Sequence, residues 1–189
     1  MYFLLGLAGA WLFYSGNLLW IESRRRMQRR GMAAAPQQRR DTQAMAALTV
    51  GVCLGTVCGI SVILAAAKWL QGRVADIDLS IQVLYYAVFF ACIVWAFVRG
   101  GARASVDLLW LAAACTLAIP VTTLLSRPFP ELGLWAHESG AALGVDATAV
   151  VGSLCFVAMA RATARRVRQG PTDSVWSASD DHPPPVPAA

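Results

Sequence analysis

The residues of this chain that could do chemistry are few, and most lie in apolar surroundings. Asp146 interrupts the run 141–160, and counted from Ala141 it sits about 8 Å along a helix. An ionisable side chain at such a place is costly in lipid and marks function by default. Asp146 lies one position from a stripe of small residues and is open to two readings: it relays a proton or binds a cation, or it marks a later start of the apolar segment. His137, followed by Glu138 in LWAHESG, either belongs to a surface site outside the membrane or is an ordinary interfacial loop residue. Asn17, beside Tyr14 and Ser15 in an otherwise apolar run, must find a hydrogen-bond partner, which is either a neighbouring helix or a ligand. Asp107 stands one helical turn from Arg103 and near Arg99, so a structural ion pair is the expectation there.

Two further sets bear on redox and metal chemistry. The five cysteines, Cys53, Cys58, Cys92, Cys115 and Cys155, all fall in apolar segments and form no CxxC. Cys53 and Cys58 are five residues apart and so point to different helix faces; buried small apolar filler is the expected role of the five. A haem carried across a membrane commonly takes imidazole ligands from helices. The two histidines, His137 and His182, lie outside the apolar runs. This chain alone is therefore expected to hold no cofactor and no metal, with haem entering only through a partner or a preceding N-terminal part.

What positions these residues follows from composition. The 189 residues are 57% apolar and 14% charged, against about 25% charged in an ordinary soluble domain. A single soluble domain, a disordered chain and a disulfide scaffold are all excluded. About 20 residues at 1.5 Å each are needed to cross about 30 Å of hydrocarbon. Five stretches approach that length: 2–21, 44–70, 81–98, 104–125 and 141–160. The expectation is an all-α membrane protein, a polytopic bundle of about five transmembrane helices over 1–168, with a disordered cytoplasmic tail at 169–189 rich in Pro, Ser and Asp.

Basic residues are retained on the cytoplasmic side of short loops. Thirteen of the sixteen Lys and Arg fall in 22–43, in the connection after the third span and just after the fifth; Lys68, Arg73 and Arg127 fall on the other side. This places the N-terminus in the periplasm and the C-terminus in the cytoplasm. It also accounts for the net charge of +5 with no need of a nucleic-acid partner. Trp20 and Trp95 at inner ends and Trp69 at an outer end agree with those boundaries. The first apolar run lacks the basic lead and small-residue cleavage site of a secretory signal, so it is expected to stay in the membrane.

Helix association in lipid relies on close packing over small residues. Gly51, Gly55 and Gly59 share one helix face, and Gly140, Gly144, Thr148 and Gly152 repeat the device in the fifth span. These two helices are expected to be buried in the bundle. Pro120 frees the carbonyl of Thr116 and is expected to kink the fourth span.

The segment LGLAGAWLFYSGNLLWIESRRR, 5–26, resembles the last helix of the PepSY-associated transmembrane family through Gly6, Gly9, Tyr14, Ser15, Gly16, Asn17, Trp20, Glu22 and Arg24 to Arg26. Spans two to five resemble a helical extension at the C-terminus of longer members. The resemblance implies a bacterial inner-membrane protein linked to iron uptake or ferric-siderophore reduction, acting with lipid, other membrane helices or a PepSY-containing chain. The chain departs from the family in lacking the PepSY region, the upstream helices and the haem-ligating helix histidines, which implies a C-terminal portion that is not a self-sufficient reductase. Two other classes remain open: a small transporter whose path passes Asp146, and a non-catalytic assembly or scaffold protein.

Overall fold

The computed structural model describes Gly16, residues 36–126 and residues 140–169, with side chains for 43–126, 140 and 142–168. Apart from Gly16, the first span at 2–21 lies outside the described residues, Asn17 included, as do most of the arginine-rich segment 22–43, His137 and the tail from 170. The chain divides into two units, residues 1–42 and 43–189.

Four helices are described: α1 Pro36–Leu70, α2 Ile77–Arg99, α3 Gly101–Ser126 and α4 Gly140–Gln169. Each is long and apolar enough to cross a membrane, and no strand occurs among the described residues. The protein is an all-α membrane bundle, with four helices described where the sequence suggests about five.

The helices outrun their apolar segments for local reasons. Asp76 caps α2 by accepting the Leu79 amide at 3.1 Å, and Asp78 adds a favourable negative charge to the first turn. The helix therefore starts at Ile77 rather than at 81. Arginine is a good helix former, so α4 continues through Arg161, Arg165, Arg166 and Arg168 to Gln169, where Gly170 and Pro171 follow. Between α2 and α3 a single residue, Gly100, makes the turn at a φ of 78°, a region that an L side chain enters only with strain.

Packing is densest around α3. Nearly half of its apolar stretch is buried, 44% against 28% for α1 and 11% each for α2 and α4, so α3 is the central helix. Both 44–70 and 141–160 are expected to be buried by their glycines; among the described residues the most buried helix is α3, with α1 next and α4 largely exposed. A glycine stripe marks one face of close approach, and the remaining faces of α1 and α4 turn outward. Leu108, Ala112 and Ala104 of α3 meet Cys58 of α1 and Cys92 and Ala96 of α2 in one core cluster. On the outside, Val83, Phe90, Leu143, Val151 and Leu154 stand at least 58% exposed, a surface suited to lipid.

Gly51, Gly55 and Gly59 lie against α2. A Cβ at Gly51 would stand 2.9 Å from the Ile93 Cα, one at Gly55 3.1 Å from the Cys92 Cβ, and one at Gly59 2.8 Å from the Tyr85 ring. The second stripe behaves otherwise. Gly152 approaches the Thr116 methyl at 3.7 Å, but Gly140 and Gly144 face open space among the described residues, so a packing role for those two is not met within this unit.

Candidate functional site

α1 and α3 end, and α4 begins, at the same end of the bundle, and there three polar side chains converge. Asp146 is six residues into α4, about 9 Å from its start. Thr123 lies in the last turn of α3 and Lys68 in the last turn of α1. The Lys68 ammonium donates to the Ile119 carbonyl at 3.1 Å and to the Thr123 hydroxyl at 2.5 Å. The Thr123 Oγ1 lies 3.1 Å from the Asp146 carboxylate and 3.2 Å from the Ile119 carbonyl. A hydroxyl has one proton to give, and the carboxylate is the stronger acceptor. The chain therefore runs from Lys68 through Thr123 to Asp146, a cation and an anion joined by one hydroxyl. All three side chains are half-buried.

Lys68 is two residues from the end of its helix, where a long side chain ordinarily reaches out toward the headgroups. It turns into the bundle instead, which locates the attraction in the α3 carbonyl and the charge of Asp146. Polar contacts continue below. Ser61 of α1 and Thr116 of α3 stand 3.2 Å apart, and Ser153 of α4 donates to the Ala113 carbonyl at 2.9 Å. Thr116 itself donates to the Ala112 carbonyl at 2.7 Å. Pro120 removes the donor that the Thr116 carbonyl would otherwise use. Hydroxyls thus tie α3 to α1 and α4 through the turns around the proline. Below Ala112 the buried side chains of α3 are Leu109, Leu108, Ala104 and Ala102, with one hydroxyl, Ser105, that turns back on the Ala102 carbonyl of its own helix, so the hydroxyl contacts between α3 and its neighbours α1 and α4 lie in one half of the bundle.

At the opposite end Asp107 holds Arg99 by its Nε at 3.1 Å and accepts the Trp95 indole N–H at 3.3 Å, while the Arg99 guanidinium lies 5.7 Å from the Trp95 ring centre. This is the ion pair expected from the spacing. The cysteines divide. Cys58 and Cys92 are buried and Cys115 is half-buried beside them, one from each of three helices, whereas Cys53 and Cys155 are exposed on outer faces and fill no core. Among the described residues no group of three or more His, Cys, Asp or Glu is placed to hold a metal ion.

Of the candidates Asp146, His137 and Asn17, Asp146 is among the described residues, and it sits in a polar constellation whose other members, Lys68 and Thr123, are not evident from the sequence. A signal for Lys68 exists: it is the one base in its apolar run, and helix order brings the end of 44–70 and the start of 141–160 to the same membrane face. No protein-family model, curated protein or solved structure matches the chain.

Proposed function

We propose that the chain is a multi-pass protein of a bacterial inner membrane that serves iron uptake or ferric-siderophore reduction as one part of a larger assembly, lending membrane helices to a partner that carries haem. The observation that carries this reading is the string 5–26, with Trp20, Glu22 and the Arg24 to Arg26 cluster, in a chain whose apolar spans contain no histidine. The α4 face bearing Gly140, Gly144 and Thr148, open among the described residues, supports it as a surface where a further helix can close. The test is the rate of ferric-siderophore reduction in cells lacking the chain. A fall restored by the wild-type chain is expected, and an unchanged rate ends the reading. A Soret band from the purified chain alone would overturn the assignment of haem to a partner.

A second reading, a small transporter, is favoured by one observation, the Lys68–Thr123–Asp146 chain. In liposomes enclosing a pH-sensitive dye, an imposed membrane potential then drives proton flux that Asp146→Asn abolishes. Wild-type flux no greater than in protein-free vesicles ends that reading.

A further inference from the structure

A groove of about 490 Å³ lies where α1, α2 and α3 meet. Val62, Val88, Leu108 and Leu111 wall it, and Trp95 and Asp107 close the end nearest the α2–α3 turn. From Asp107 to Cys115, the deepest α3 residue lining it, is eight residues, or about 12 Å along the helix. That is close to one leaflet, about half of a 30 Å hydrocarbon core. The groove therefore starts at headgroup depth and ends near mid-membrane, the span of one acyl chain and not of a chain crossing the bilayer.

Its polar end is built. Asp107 takes the Nε of Arg99, and the Trp95 ring lies against the guanidinium, so the side chain is fixed while 49% exposed. With Nε engaged, the two terminal nitrogens carry no partner among the described residues, and they form the fork that grips a phosphate in bidentate fashion. Arg103, on the first turn of α3, adds positive charge at the same depth. Asp107 offsets part of this charge but supplies the orientation.

We propose that this groove is a binding site for an anionic phospholipid, with one acyl chain between α1, α2 and α3 and the phosphate on Arg99. The test is native mass spectrometry of the full delipidated chain offered phosphatidylglycerol or phosphatidylcholine of the same acyl composition. Wild type is expected to retain the anionic lipid about fivefold better, the effect of one arginine at the membrane surface. Arg99→Gln abolishes the preference, Arg99→Lys restores part of it, and Arg165→Gln, on another helix, leaves it intact. Ala91→Phe, at the exposed rim, lowers retention of both lipids; if that variant does not fold, Leu111→Trp fills the same space. Equal retention of the two lipids by wild type, a preference surviving Arg99→Gln, or undiminished retention in the filled groove would each overturn the site.

Discussion

Lys68 and Asp146, on the first and last of the four described helices, meet on the hydroxyl of Thr123. The contact fixes the ends of α1 and α4 to α3 through charge-assisted hydrogen bonds in a region of low dielectric. Removing one charge strands the other. Lys68→Met or Asp146→Leu alone is expected to cost about 1–3 kcal/mol of bundle stability, below the figure for fully buried pairs because both side chains are half exposed. The double variant should cost less than the sum of the singles. Thermal unfolding in detergent of the four members of the cycle decides this, and strict additivity would show that the hydroxyl does not couple the two charges.

The glycines give a graded prediction from geometry. Gly51→Ala sets a Cβ 2.9 Å from the Ile93 Cα, where only backbone movement relieves the clash, and should destabilise by about 1–3 kcal/mol. Gly59→Ala meets the Tyr85 ring, which can swing, so its cost is smaller. Gly144→Ala meets nothing among the described residues and should be neutral or slightly stabilising, since alanine is the better helix former. Midpoints from a denaturation series rank the three. A marked loss at Gly144 would show that a partner helix closes on that face in the folded protein.

Apolar length alone makes the helices legible, because the bilayer sets a minimum that no soluble segment needs to meet. Their ends are less so. Counting apolar residues starts α2 at Ile81 and misses Asp76, whose cap is a matter of one carboxylate and one amide. Burial order is not legible in a glycine stripe: Gly140 and Gly144 look like Gly51 and Gly55, yet only the second pair has α2 within reach. Asp146 stands out by its cost in lipid. Its partners do not, because Lys68 reads equally well as a topology charge, and Thr123 acquires meaning only when α3 is seen to lie between α1 and α4.

The turn at Gly100 is a single residue with φ of 78°, and its carbonyl accepts the Ala104 amide at 2.9 Å to start α3. With ψ at 146° the residue lies in a region that is essentially glycine's alone, so Gly100→Ala should cost about 1–3 kcal/mol. Gly100→Asn should lose as much, because asparagine's tolerance of positive φ is for the αL region at much smaller ψ. Midpoints equal to wild type for both variants would show that the turn rearranges and carries no strain.

Orientation rests on charge. Arg99, Arg103 and the α4 arginines share one end of the bundle, and Lys68, Arg73 and Asp146 the other; from the positive-inside rule we propose that the second end faces outward. In a variant without native cysteines, Gln71→Cys, exposed after α1, should react in intact cells with a membrane-impermeant maleimide, while Arg165→Cys, exposed near the end of α4, should react only after permeabilisation. The reverse pattern would invert the topology. It would also place the Arg99 end of the groove in the outer leaflet, so the same two labels decide which leaflet supplies its lipid.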